Sequence, residues 1–224
     1  MRIKTLDLTK TYQVGSSEIT ALDKVNLEVG EKSFTVIVGP SGAGKSTLLN
    51  LVGLNDHPTS GKILIDNMDT SQFSAGERRK IRLSRMGFVF QTFNLLPTLS
   101  AVENVELPMA LAKKSRKEQR EATLRLLEMV GLGHRLAHRP KELSIGEMQR
   151  VSIARALAND PEIVIADEPT GELDSKTAKE IITLLVEISK KGKKTVVVAT
   201  HDEKVIEAAD IVYAIQDGKV KPEG

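Results

Sequence analysis

The 224-residue sequence has no cysteine, no tryptophan and few aromatic residues of any kind, 3% in all. Without cysteine the chain forms neither disulfides nor thiolate metal sites, which fits a reducing compartment. Its core must be built mainly from aliphatic side chains. No uninterrupted apolar run approaches the ~18 residues that a membrane-spanning helix needs. The first residues, MRIKTLDLTK, also lack the apolar segment of a signal peptide.

Neither sign of charge dominates the sequence. The 32 basic residues are nearly balanced by 30 acidic ones, which leaves a net charge of +2. Because nucleic-acid-binding domains generally carry a strong basic excess, no nucleic-acid partner is expected. With 40% hydrophobic and 28% charged residues, the composition excludes a disordered or collagen-like chain. The length suits one large domain or two small ones, and we interpret residues 1–224 as a single domain.

Short β-branched runs recur from residue 34 onward. They lie at 34–39, 87–90, 162–167, 194–200 and 210–215. Strands buried on both faces have this composition, so the runs predict a mostly parallel sheet covered by helices. The Asp217-Gly218 pair that follows the last run predicts an antiparallel hairpin at one edge.

Two other regions have a different pattern. Residues 2–8 and 19–29 alternate loosely between apolar and polar side chains, which predicts antiparallel strands at the N-terminus. Residues of about 95–155 carry helical periodicity and little strand signal. We interpret them as a helical insertion between two parts of the core, at about 1–94 and 156–224.

A glycine-rich loop follows the first buried run. Its residues are Gly39, Pro40, Ser41, Gly42, Ala43, Gly44, Lys45, Ser46 and Thr47. The pattern G-x-x-x-x-G-K-[ST], placed between a strand and a helix, binds phosphate through backbone N–H groups and the helix N-terminus. Lys45 is predicted to reach the β- and γ-phosphates of a nucleotide, and Ser46 to hold Mg²⁺. These features place the chain in the α/β class as a P-loop NTPase. The alternative is a glycine-rich turn that binds nothing.

Polar residues stand where three further runs end. Asp167 and Glu168 close the run 162–167, His201 follows 194–200, and Gln91 follows 87–90. The carboxyl ends of parallel strands are where open α/β sheets bind ligands. Asp167 is predicted to support the Mg²⁺ held by Ser46, and Glu168 to polarise the attacking water as a general base. His201 is a candidate γ-phosphate contact, and Gln91 a candidate ligand of Mg²⁺ or of the water. The alternative is a set of ordinary solvated strand ends.

The segment Leu143-Ser144-Ile145-Gly146-Glu147, followed by MQRVSIARALANDPEIVIADEPT, resembles the signature and acidic strand of ABC ATPases. The motif order of that family runs through nearly the whole chain. Tyr12 stands where its adenine-stacking aromatic lies, Gln91 is its Q-loop glutamine, Glu172-Leu173-Asp174 its D-loop and His201 its switch histidine. The chain departs from the family pattern LSGGQ at Ile145 and Glu147, and carries Glu172 where a small residue is commoner.

The resemblance implies two copies stacked head-to-tail around two ATP molecules with Mg²⁺. Ser144, Gly146 and Glu147 of one copy would then meet the nucleotide held by the other copy, with Asp174 in the same nucleotide-binding set. Residues 87–108 and 166–175 resemble the branch that serves lipoprotein-release and macrolide-export permeases. An integral membrane permease is therefore the expected partner, with segment 93–97 forming part of its docking groove. The protein would be cytoplasmic, on the inner face of the membrane.

Two alternatives belong to other classes. Soluble ABC ATPases act on nucleic acid or ribosomes, but they carry a long coiled coil or two ATPase units, and this sequence shows neither sustained heptads nor a second unit. A P-loop small-molecule kinase would use the helical insertion as a lid. The signature and the Asp167-Glu168 pair argue against a kinase. Hydrolysis of ATP without an added phosphate acceptor would exclude this alternative.

Overall fold

The computed structural model describes residues 1–223, with side chains to residue 221. The strands are β1 (Ile3–Val14), β2 (Ser17–Val25), β3 (Glu28–Val29), β4 (Phe34–Val38), β5 (Ser60–Ile65), β6 (Met68–Asp69), β7 (Met86–Val89), β8 (Ile163–Asp167), β9 (Thr195–Thr200), β10 (Ile211–Gln216) and β11 (Lys219–Glu223). The helices are α1 (Lys45–Val52), α2 (Ala75–Arg85), α3 (Ala101–Leu111), α4 (Arg116–Met129), α5 (Ile145–Ala156), α6 (Ser175–Lys190) and α7 (Glu203–Glu207). No helix within residues 1–223 is both long and apolar enough to cross a membrane.

The β-branched runs form one sheet in the order β11-β10-β4-β9-β8-β7. Every neighbouring pair in it is parallel except β10 and β11, which form the predicted edge hairpin. Asp217 and Gly218 in its turn both have left-handed φ angles, +49° and +72°, as a tight type I′ turn requires. The mostly parallel sheet is thereby confirmed, and β4, β8 and β9 lie side by side with their carboxyl ends at one edge.

The N-terminal strands form a second, antiparallel sheet in the order β2-β1-β5-β6, with β3 paired to β1. This confirms the predicted antiparallel part. The stretch 19–29, predicted as one strand, is divided between β2 and β3. Lys24 has a φ of +48°, and the Leu27 amide donates to the Thr5 hydroxyl rather than to a ladder partner. The β5–β6 hairpin, with left-handed Asp66 and Asn67, was not predicted.

Two aliphatic clusters cover the faces of the parallel sheet. Alternate residues of β9 belong to different clusters. Val196 and Val198 pack in the first cluster, and Val197 and Ala199 pack in the second. The first cluster includes the buried faces of α3, α5 and α6, and the second includes α1 and the antiparallel sheet. Because each face of β9 meets a separate apolar layer, its sequence is a continuous apolar run.

Between β7 and β8 the chain forms α3, α4 and α5 and no strand, within a region described throughout. Each of these helices starts with a serine whose side chain and backbone exchange hydrogen bonds with a glutamate three residues later, at Ser100, Ser115 and Ser144. Such capping boxes fix where a helix begins. The inserted helical part is thus confirmed, while the exact division at residues 95 and 155 stays a prediction.

The helical part lies directly against the core at Gly87 in β7. A Cβ atom on Gly87 would come within 2.3 Å of the Ala156 carbonyl oxygen at the end of α5. Real Cβ atoms do not approach backbone that closely, so β7 and α5 can pack this tightly only around a glycine.

We predict that Gly87→Ala lowers the free energy of unfolding by about 2 kcal/mol, because the backbone of β7 or α5 must shift to relieve the overlap. The control is Gly76→Ala in the exposed first turn of α2, where a Cβ meets nothing closer than 3.9 Å. Because alanine has the higher helix propensity, this variant should be as stable as the wild type or more stable by up to about 1 kcal/mol. Urea denaturation of both variants measures the difference, and equal midpoints would contradict the close packing.

Candidate functional site

A cleft of about 350 Å³ opens at the carboxyl edge of the parallel sheet, beside the glycine-rich loop. We name it the phosphate-loop cleft. It is lined by Ala21, Pro40, Ser41, Gly42, Gly44, Lys45, Ser46, Thr47, Gln91, Glu168 and His201. Four separate parts of the chain, predicted to act together, therefore meet at one place: the loop after β4 and the residues that follow β7, β8 and β9.

The loop is shaped so that the start of α1 faces the cleft. Gly44, which precedes α1, has a φ of +106°, and a Cβ on it would lie 2.5 Å from the Ala21 carbonyl oxygen. Among the described residues, no side chain caps the first turn of α1, and that turn holds no acidic residue. Its free N–H groups and the positive end of the helix dipole are thus left for an anionic ligand.

Lys45 is folded back over the loop. Its Nζ donates to the carbonyl oxygens of Gly39 at 2.7 Å and Pro40 at 3.2 Å. The same Nζ lies 3.3 Å from Glu168 Oε1, and both side chains are largely buried. Lys45 therefore links the phosphate loop to the acid that follows β8.

Asp167 and Glu168 stand at the end of β8 with unpaired carboxylate oxygens. Asp167 Oδ1 and Glu168 Oε2 are buried without a hydrogen-bond partner in the described part of the chain. Burial raises the pKa of Asp167 and the Glu168 charge adds to the increase, while the Ser46 hydroxyl and Lys45 oppose it. Oxygen ligands beside a phosphate site are what Mg²⁺ requires, and a divalent cation would compensate the Asp167 carboxylate. These residues fit a magnesium ion.

Glu168 has an unusual backbone. Its φ is +43°, in the left-handed region that costs a residue with a side chain about 1 kcal/mol or more. Its amide donates to the Ala199 carbonyl at 2.8 Å, which ties it to β9. His201 Nδ1 lies 3.2 Å from both Glu168 carboxylate oxygens, and the His201 ring is exposed at the rim of the cleft.

Gln91 also reaches the cleft, but it faces an unexpected neighbour. Its Nε2 donates to Glu172 Oε1 at 3.5 Å, a long contact between two exposed side chains. The departure from the family pattern at Glu172 thus lies next to the predicted metal ligand.

Tyr12 is not among the residues that line the phosphate-loop cleft. It lies on β1, and its hydroxyl donates to Asp56 Oδ2 at 3.1 Å. Lys10 Nζ sits 4.8 Å from the centre of one ring face, in a cation–π contact. The Tyr12 side chain is exposed, and Ala21 on the neighbouring strand β2 lines the cleft, so the stacking of adenine on Tyr12 stays a prediction.

The signature residues also lie outside the cleft of their own chain. Ser144 is the N-cap of α5, and Glu147 closes its capping box while pairing with Arg135 Nε at 2.9 Å. The Ser144 backbone N–H, followed by the Ser144 hydroxyl and Arg135, lowers the pKa of Glu147 against the opposing effect of burial. Ile145 lies within helix α5, half-exposed, without a positive φ. Neither departure distorts the start of α5.

Asp174 is held beside the signature. It caps α6, and its Oδ2 accepts a 2.6 Å hydrogen bond from the Thr177 hydroxyl. The methyl group of Thr177 would lie 2.5 Å from a Cβ placed on Gly146. A glycine at position 146 therefore lets α5 and the first turn of α6 meet at this point.

Three residues that orient site groups were missed by sequence reasoning. Lys10 and Asp56 fix the ring of Tyr12, and Arg135 neutralises Glu147. None belongs to a motif. Each acts through a contact that depends on the fold, so the sequence offered no local signal for them.

Comparison with known proteins gives consistent matches. The profile of the protein family described as ABC transporter matches residues 22–171. An uncharacterized ABC transporter ATP-binding protein of Methanocaldococcus jannaschii, MJ0796, is 48% identical over 225 residues, covering 99% of this chain and 96% of the relative. A solved dimeric structure of the ATP-binding cassette MJ0796, in a post-hydrolysis state bound to ADP and Pi, is similar with a TM-score of 0.92 at 46% identity. It covers 99% of this chain and 97% of that one.

A further relative combines two functions in a longer chain. The macrolide export ATP-binding/permease protein MacB of a Shewanella species is 44% identical over 211 residues. The match covers 94% of this chain but 32% of MacB.

The buried carboxylate of Asp167 predicts a pH-dependent stability difference. Because the folded-state pKa of Asp167 is raised, the wild type loses stability as the pH rises from the unfolded-state pKa to the folded one. We expect Asp167→Asn to match the wild type at pH below about 4 and to be more stable than the wild type at pH 7, without ligand. Urea denaturation across this pH range measures it.

The matched control is Asp217→Asn, which changes an exposed carboxyl in a turn whose left-handed φ asparagine also adopts. Its stability should follow that of the wild type at every pH. If Asp167→Asn is destabilised at pH 7, the predicted cost of burying the Asp167 carboxylate is contradicted.

Proposed function

This chain is an ATP-binding and ATP-hydrolysing subunit of the ABC transporter family, and we propose that two copies close around two Mg-ATP to drive a membrane permease. The observation that carries the proposal is the contact between Lys45 and Glu168 across the phosphate-loop cleft, beside a buried Asp167 Oδ1 atom that has no hydrogen-bond partner in the described residues. The cleft thus brings a phosphate-binding loop together with a candidate base and a buried acid.

The residues divide the chemistry among them. Free N–H groups of the loop and of α1 hold the phosphates, and Lys45 exchanges its carbonyl and Glu168 contacts for phosphate oxygens. Ser46, Gln91 and Asp167 would hold Mg²⁺, which neutralises charge on the β- and γ-phosphates. Once Lys45 is drawn to phosphate, Glu168 is free to take a proton from the water that attacks the γ-phosphate. His201, at the rim, stabilises the charge that develops there.

A second copy completes the site. Ser144 and Gly146 lie outside the phosphate-loop cleft of their own chain, at the N-terminus of the 12-residue helix α5. In a head-to-tail pair this helix end would face the nucleotide of the other copy, as an additional anion site. Glu147 does not oppose this, because its charge is paired with Arg135. The dimeric state of the relative MJ0796 supports the arrangement.

The permease would dock in a groove of about 390 Å³ between the core and the helical part. We name it the arginine groove. Its lining includes Phe88, Phe90, Leu107, Leu111, Arg79, Arg82 and Arg155. Of the segment 93–97, Asn94 lines it. An apolar floor with three guanidinium groups suits a cytoplasmic helix of the lipoprotein-release or macrolide-export type of permease, which would place this subunit on the inner face of the membrane.

We predict that Glu168→Gln binds ATP but hydrolyses it at least a hundredfold more slowly than the wild type, because the amide cannot accept the proton. The trapped ATP should hold two copies together. Light scattering with Mg-ATP measures the mass, and EDTA should return the variant to monomer if Mg²⁺ is part of the site. If Glu168→Gln stays monomeric although ATP is shown to be bound, two copies do not close around ATP without the permease. If Glu168→Gln hydrolyses ATP at the wild-type rate, Glu168 is not the general base.

We also predict that Lys45→Ala loses nucleotide binding, since the loop then lacks its phosphate-directed charge. Titration with a fluorescent ATP analogue should show at least a tenfold weaker affinity than in the wild type. The control Lys62→Ala removes an exposed lysine that pairs with Asp69 far from the loop, and should bind normally. An unchanged affinity in Lys45→Ala would contradict the assignment of the loop.

A further inference from the structure

Gln149 connects helix α5 by a hydrogen bond to the residue that follows Glu168, the candidate general base. Its side chain is fully buried, and its Nε2 donates to the Pro169 carbonyl oxygen at 2.8 Å. Pro169 directly follows Glu168. A proline has no N–H, so this carbonyl is the single backbone polar group by which residue 169 can be held.

The segment that Gln149 holds is the one with the unusual backbone. Glu168, with its φ of +43°, keeps that conformation only if its neighbours are fixed. On one side its amide is bound to β9 through Ala199. On the other side, the Glu168 carbonyl accepts from the Gly171 amide at 3.1 Å, Gln149 fixes the carbonyl of Pro169, and the buried Thr170 donates to Asp202 Oδ2 at 3.1 Å. Loss of the Gln149 bond would leave a buried carbonyl unpaired and the Glu168 peptide less constrained.

The same helix begins at the signature. Ser144 and Gln149 are five residues apart, about 7 Å along the axis of a rigid helix. Under the proposed function, the Ser144 end meets the nucleotide of the other copy. A small shift of α5 on binding that nucleotide would therefore be transmitted through the Gln149 side chain to Pro169 and to Glu168 of the same chain.

We propose that Gln149 is a positioning residue that keeps Glu168 oriented toward its own nucleotide and couples this orientation to the nucleotide bound at the signature end. The proposal rests on the head-to-tail pair described above. It makes Gln149 the hydrogen-bonded link between the two ATP sites of a pair. An amide is suited to the task because it can donate to a carbonyl without adding a charge to a buried position.

The test compares Gln149→Met with Ser152→Ala in the full chain. Methionine keeps the length of the side chain but cannot donate. Ser152 lies one turn further along α5, equally buried, with a hydroxyl that has no hydrogen-bond partner in the described residues, so its removal controls for a change within the helix. ATP turnover is measured over a range of Mg-ATP concentrations, and ADP affinity by titration.

We expect Gln149→Met to lower kcat tenfold to a hundredfold, the usual cost of a misplaced catalytic group, with ADP affinity within twofold of the wild type. Its Hill coefficient for ATP should fall toward 1, while Ser152→Ala keeps both values. A wild-type kcat and Hill coefficient in Gln149→Met would overturn the proposal. The proposal would also be overturned if the loss of kcat came with a comparable fold-loss of ADP affinity and a lower melting temperature, since this would indicate a purely structural role.

A second variant adds a readout that depends on the donor itself. In Gln149→Glu the new carboxyl can donate to the Pro169 carbonyl only when it is protonated. The ratio of its kcat to that of the wild type should rise as the pH falls, whereas the ratio for Gln149→Met should stay flat. If the kcat ratios of Gln149→Glu and Gln149→Met change with pH in the same way, the proposal is overturned. Failure of the proposed function is distinguishable, because the wild type itself would then show no turnover or no cooperativity.

Discussion

The structure depends on a pair of neighbouring carboxylates kept at the end of a buried strand. Lys45 lies beside Glu168, and in the described part of the chain Asp167 and Glu168 each retain a buried oxygen without a hydrogen-bond partner. Such an arrangement is costly without ligand, since burial and the neighbouring Glu168 charge both disfavour the charged form of Asp167. A nucleotide bound with a metal ion would offset this cost, which would tie the stability of this edge of the sheet to ligand binding.

The helix α5 connects that edge to two other surfaces. Its N-terminus carries the signature, its middle reaches Pro169 through Gln149, and its last turn carries Arg155, which donates to the carbonyl oxygens of Phe93 and Asn94. Phe93 and Asn94 both have left-handed φ angles, so the half-buried guanidinium of Arg155 holds a constrained loop just after Gln91. A single helix thus carries the signature, bonds to the residue after the candidate base and lines the arginine groove.

The local part of this architecture could be predicted from the sequence. Runs such as 34–39 and 194–200 are apolar throughout because both of their faces are buried, and this alone predicts a parallel sheet whose carboxyl edge gathers Lys45, Glu168 and His201. Contacts across the chain carry no such local pattern. The Arg135–Glu147 pair and the Gln149–Pro169 bond join residues brought together by packing, and the β5–β6 hairpin depends on two non-glycine residues in left-handed conformations.

The departures from the family signature show how context decides what a substitution does. An isoleucine would strain a backbone with a positive φ, but residue 145 occupies the first turn of a helix, where its φ is ordinary and its side chain is half-exposed. A glutamate beside another copy's phosphates would repel them, but Glu147 is engaged by its own N-cap and by Arg135. The Ser144 hydroxyl and the N-terminal end of α5 therefore remain the groups that a second nucleotide would meet, with the Glu147 charge already compensated.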